Sequence, residues 1–285
     1  MPVDALSVIV RALSFVALLQ AVGVAIFDAL FRGQLTESRA TIRRFGQVSA
    51  LLGCLLVAVH QLLGGARMTG ELTGIVDGAM QWFALSNHAG RANVLRMLGL
   101  LLTAFALRRN CEAKHWGLMG AVIVVLSFAM TGHTAVHPLR WLMAPLLVFH
   151  LSVVAFWFGS VAALYMLSVR ETARTVSQVV TRFSEIATWL VPGIAVAGVW
   201  MATELLPNLQ ALLTPYGLLL LAKVAGFVLL MGLAALNKWR FGPALVTGEA
   251  QAARIFRRTL LIEYVLICAV LAATATMTGL FSPEP

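Results

Sequence analysis

Imidazole is the side chain best placed for chemistry in this sequence. It is neutral enough to enter a membrane and binds copper, zinc and iron. Six histidines occur: His60, His88, His115, His133, His137 and His150. In the segment TGHTAVHPLRW, His133 and His137 stand four apart, which on a helix places both on one face. Pro138 biases His137 away from helical geometry, so a preformed chelate on one helix is not secured. Met130, three residues before His133, offers a thioether of the kind that suits Cu(I). The other methionines read mainly as packing residues. Cys54 precedes His60 by six residues, about 240° around a helix, and does not share a site with it. Cys111 and Cys268 complete a set of three that cannot form a disulfide framework.

The elements that must position these groups are apolar. The 285 residues are 60% hydrophobic and 12% charged, against about 45–50% and about 25% in soluble domains. Eight apolar stretches can be bracketed: 5–31, 45–65, 91–107, 116–134, 141–168, 183–203, 216–239 and 259–281. Lipid forces the backbone to satisfy its own hydrogen bonds, so runs of about 20 apolar residues mean helices. The expectation is an all-α, polytopic transmembrane bundle of about eight spans. It forms one integral membrane domain over residues 1–285. The first stretch is too long, and too lacking in a cleavage motif, for a removed signal peptide. Between spans two and three, Leu72, Ile75, Ala79, Met80, Trp82 and Phe83 give residues 66–90 a partly apolar face. That pattern suits a short interfacial helix, or a connecting loop with a helical turn.

Lys and Arg orient the bundle. Of 21, fifteen fall in the connections after spans one, three, five and seven. Only Arg67, Arg91 and Arg140 lie on the opposite side, and Arg11, Arg96 and Lys223 lie inside spans. By the positive-inside rule both termini face away from the cytoplasm. The net charge of +9 is thus a cytoplasmic rim, and no nucleic-acid partner is needed. In this orientation every histidine but His115 falls in the outer half. His88 and His137 can owe their place simply to an interfacial position. His60 and His150 lie within spans, where polar groups usually face the bundle and serve function. Asp28, Glu185 and Glu263 lie toward the inner face. With Lys223 they are candidates for a transport path, or they pair with Arg32, Arg182 and Arg258. No nucleotide loop, Gly-x-Ser-x-Gly or His-Glu-x-x-His motif supports an enzyme.

TGHTA and LLVFHLSVVAFWFGSVAALY resemble the CopD copper-resistance family of inner-membrane proteins. So do RFSEIA, TPYGLLLLAKVAG and the Glu263 segment IEYVLICAVLAATATMTGLFSP. The likeness is best over residues 132–283, and Gly159-Ser160 stands where the family commonly has Gly-Gly. A small residue is kept, so close helix packing survives. The resemblance implies a multi-pass protein of the bacterial inner membrane, surrounded by lipid. It would import copper, as Cu(I) or Cu(II), or pass it inward from a periplasmic CopC-type carrier. His133 matches the family Gly-His and His150 the span-five His. His60 and His88 fit the same outer region. Two alternatives remain. One is a b-type haem electron carrier using His60 and His150, whose depths differ by roughly 7 Å before tilt. The other is a copper-holding assembly factor that does not transport.

Overall fold

A computed structural model describes residues 2–108, 114–206, 208–241 and 250–281; the side chains of Pro2, Lys114, His133, Thr134 and Ala250 are not described. The described residues contain helices and no strand. In chain order they are α1 (Pro2–Phe31), α2 (Arg39–Thr69), α3 (Gly78–Ser86), α4 (His88–Ala106) and α5 (Lys114–Ser127). There follow α6 (His133–Val136), α7 (Arg140–Arg170), α8 (Ala173–Leu205), α9 (Pro215–Leu236) and α10 (Ala250–Leu280). Six of them, α1, α2, α7, α8, α9 and α10, are long and apolar enough to cross a membrane. The third and fourth expected spans are shorter. α4 has 19 residues, interrupted by Arg91 and Arg96, for a length of about 28 Å. α5 ends at Ser127 and passes into a 3-10 turn, Phe128–Met130.

α1 is the central helix. Its residues Leu18, Val22, Val24 and Phe27 are fully enclosed by α2, α5, α7 and α10. Small residues permit the closest of these contacts. A Cβ on Gly23 would collide with the Ala155 carbonyl of α7, and one on Gly159 would collide with the Gly23 backbone. Without a hydrophobic drive between helices in lipid, such close van der Waals packing does much of the holding. α8 and α9 reach this core through Val176, Val179, Val180 and Leu230 and leave much of their remaining surface uncovered. Trp189, Val196 and Val199 of α8 and Val224, Val228 and Leu229 of α9 are exposed, as a hydrocarbon surround requires.

The hydrogen bonds sort the helix ends into two groups. At one end Arg39 and Arg43 of α2 reach Asp28 of α1. There also Arg43 reaches the last carbonyls of α4, and Arg257 of α10 donates to the Ser168 carbonyl near the end of α7. At the other end Arg11 of α1 donates to the Thr278 carbonyl of α10, Arg67 pairs with Asp4, and Asn93 of α4 donates to Gln61 of α2. The start of α1 and the end of α10 therefore share one end, opposite the arginine-rich one. α1 and α7 both run toward the arginine end and are parallel.

The connection between α2 and α4 is helical twice over. Gly70, with φ 77°, closes α2 in the left-handed conformation that favours glycine. A 3-10 turn (Leu72–Ile75) follows, and then α3, capped by Asp77, which accepts from the Ala79 and Met80 N–H groups. Trp82 and Phe83 of α3 are exposed, the pairing of polar cap and apolar face expected of a helix at an interface.

Candidate functional site

The histidine segment begins with a break in the fourth span. The expected continuous helix to Thr134 does not form. After the 3-10 turn, Gly132 adopts φ 81° and ψ −174°, a region open essentially to glycine alone. α6 starts directly afterwards at His133. The Gly-His pair thus has a backbone reason: glycine turns the chain so that His133 opens a new helix. The side chain of His133 lies outside the described residues.

His137 has left that helix, with φ −66° and ψ 142°, as Pro138 requires. The two histidines do not share a helical face. His137 Nδ1 accepts the Leu139 N–H at 3.2 Å, just before α7. One ring nitrogen is therefore committed to the backbone and Nε2 is left for other partners. Met130 is half-buried in the 3-10 turn. His88 is exposed as the first residue of α4, behind its cap Asn87.

His150 lies on the first half of α7, against α8. Gly198 of α8 stands beside the ring: a Cβ there would lie in ordinary contact, 3.7 Å from His150 Cε1. His150 Nδ1 is buried and makes no hydrogen bond of normal geometry, although it faces the Ile194 carbonyl. Lys223 of α9 is half-buried and within electrostatic reach of the ring. A buried nitrogen lone pair or N–H without a partner is uncommon and points to a missing ligand or water.

His60 belongs to another group. Its Nδ1 lies 3.5 Å from Ser7 Oγ. It faces a cavity of about 200 Å³ together with Arg11, Asn93, Arg96, Thr131 and Gly132. Arg96 is braced from three sides. It donates to Asn93 Oδ1 at 2.9 Å, Ser127 Oγ at 3.1 Å and Thr131 Oγ1 at 3.2 Å, and stacks 4.3 Å over the Phe128 ring. His150 does not line this cavity. Cys54 instead turns its thiol to the Met97 carbonyl. Among the described residues, no three His, Cys, Asp or Glu side chains gather as a ready metal site.

The acidic candidates also find unexpected partners. Asp28 is buried and bonds Arg39 Nε at 3.1 Å and Arg43 Nη1 at 3.5 Å. Both of these partners come from the next helix, whereas the sequence pointed to the nearby Arg32. Glu263 does not meet Arg258. It is 3% exposed in mid-helix and accepts from Asn237 Nδ2, while Thr259 donates to Asn237 Oδ1 at 2.6 Å. Asn237 sits in a π-helical turn, Asn237–Phe241, that extends α9; such turns often mark functional positions. The indole of Trp157 lies against the same carboxyl. Glu185 is exposed on α8.

Glu171, between α7 and α8, went unnoticed in the sequence. Its carboxylate accepts the N–H groups of Thr36, Glu37 and Ser38 and the hydroxyls of Thr36 and Ser38, at 2.7–3.0 Å. It caps α2 from across the fold. Slight burial works upward on this carboxyl, but the hydrogen bonds from Ser38 and Thr36 outweigh it and hold it down to about 2. Only the lone acid in the ETAR junction after α7 hinted at it.

Two family models match the chain. Residues 1–138 match the Copper resistance protein D-like N-terminal domain, and residues 177–277 match Copper resistance protein D. The chain belongs to the CopD copper-resistance family. It is 27% identical to Copper resistance protein D of Pseudomonas syringae pv. tomato, over 99% of this chain and 98% of that protein. No solved structure matches it. This CopD family chain is accordingly a multi-pass membrane protein of copper resistance.

Proposed function

We propose that the protein receives copper at the end of the bundle opposite the arginines and passes it inward across the bacterial inner membrane. The observation that carries this reading is His150, a half-buried imidazole on α7 whose Nδ1 is enclosed and makes no hydrogen bond of normal geometry. It lies ten residues beyond Arg140, so it sits about 15 Å below the mouth formed by α6 and the start of α7. His133 and His137 stand at that mouth with Met130 behind them, and His88 and His60 lie at the same end. Imidazole and thioether together suit copper. His133 and His150 form the central pair in this reading, and His137, His88 and Met130 assist in capture. A periplasmic CopC-type carrier delivers the ion. Lys223 stands at about the depth of His150, and further in Glu263, Glu185 and Asp28 are the ionisable groups toward the inner face.

The test is copper binding by purified protein, followed by flux in proteoliposomes with copper added outside. His133→Ala with His150→Ala is expected to abolish binding and flux together. Unchanged copper stoichiometry in the double variant rejects the site. Binding without flux in the unmodified protein makes it a copper-holding factor instead.

A further inference from the structure

The cavity beside His60 has the wrong charge for a cation and the right one for an anion. Two guanidiniums, Arg11 and Arg96, and one imidazole line it, and no carboxylate does among the described residues. Arg11, Arg96 and Arg67 all lie within electrostatic range of His60. Of these, Arg67 is matched by Asp4 at 3.3 Å. Arg11 and Arg96 are matched by neutral groups only: a carbonyl, an amide, two hydroxyls and two aromatic faces.

A guanidinium has five N–H donors. Arg96 spends three on Ser127, Asn93 and Thr131. Arg11 spends one on the Thr278 carbonyl. The remaining donors of both have no protein partner among the described residues. Other hydroxyls and amides of the wall are already used: Ser14 donates to the Arg11 carbonyl, and Asn93 Nδ2 to Gln61. Two like charges within helices of a membrane protein are costly unless an opposite charge meets them. The space of about 200 Å³ equals several waters at about 30 Å³ each, enough for a small oxyanion with part of its hydration shell. Planar guanidinium forks match the paired oxygens of phosphate or carboxylate.

We propose that this cavity binds a small oxyanion, held between Arg11 and Arg96 with His60 as a third donor. The proposal is independent of copper reception at His133 and His150. Its test uses the full chain in neutral detergent, freed of metal by chelation and exchanged into chloride-free buffer. Inorganic phosphate is titrated while the melting temperature and the heat of binding are followed. Saturable binding that raises the melting temperature is expected. Arg11→Gln should weaken it at least tenfold, while Arg91→Gln, on the exposed start of α4, should leave it unchanged. Saturation by dihexanoyl phosphatidylglycerol but not by phosphate supports the same site, with a lipid headgroup as the source of the oxyanion. No saturation by either, or equal affinity in Arg11→Gln, overturns the proposal. If Arg11→Gln does not fold, Arg96→Lys keeps the charge but loses the fork. It must then weaken phosphate several-fold, and unchanged affinity is again fatal.

Discussion

The two ends of the bundle treat charge differently. At the arginine end, Arg43 is 5% exposed and Asp28 is 6% exposed, and they face each other. Arg43 also takes the Ala106 and Arg108 carbonyls at 2.8 and 2.6 Å, tying α1, α2 and the end of α4. At the histidine end, Arg11 and Arg96 meet only neutral dipoles and rings. Charge is closed into ion pairs around Asp28, whereas at Arg11 and Arg96 it is left open. A closed ion pair adds little beyond a well-packed apolar substitute, but breaking one side of it is severe. An uncompensated cation is the reverse: costly as it stands, and useful for binding.

That contrast can be broken most sharply at Asp28. Asp28→Asn leaves two arginines facing a neutral group, and a loss of about 3–5 kcal/mol is expected in thermal or denaturant unfolding in detergent. A loss no larger than that of Arg11→Gln would erase the distinction between the ends. Glu171→Gln is the next step down. Removing this cap of α2 should cost about 1 kcal/mol near neutral pH. Its carboxyl is depressed to about 2 in the fold, so its contribution is full above the ordinary carboxylate range near 4.3. It is lost as pH falls from there toward 2. The unmodified protein should therefore lose melting temperature across that interval more steeply than Glu171→Gln; parallel curves would deny Glu171 the role. The smallest effect is expected at His137. His137→Ala removes one N–H acceptor before α7 and should cost about 0.5 kcal/mol. If instead copper affinity falls as far as in His150→Ala, His137 is a ligand as much as a cap.

Much of this was legible in the sequence, for definite reasons. Apolar run length is a property of composition, so the helical bundle could be read directly, although of the eight stretches bracketed six are long and apolar enough to cross a membrane. The grouping of Lys and Arg at one end follows from counting alternate connections. Pro138 foretold the departure of His137 from the helix, because the restriction is local. What could not be read depends on partners distant in the chain. Asp28 chose Arg39 and Arg43 because α2 turns back alongside α1. Glu263 chose Asn237 because a π-helical turn carries that amide inward. The break after Ser127 was hidden by hydropathy, which scores FAMTG as apolar without registering that Gly132 has to turn. The histidine cluster is accordingly divided: His60 joins the arginines, whereas His150 joins α8.

The contact between Gly23 and Gly159 has a consequence for synthesis. α1 leaves the ribosome well before α7, and the helix that covers its glycine face follows about 136 residues later. At roughly 5–20 residues per second the wait is on the order of ten seconds. Until then α1 has only α2, α4 and α5 for company, and the slot meant for α7 stays open to lipid. Any other helix with a small-residue face that arrived during that interval would compete for it. Insertion of the second half thus completes the first, and a chain halted before α7 would leave the central helix of the protein uncovered in the bilayer.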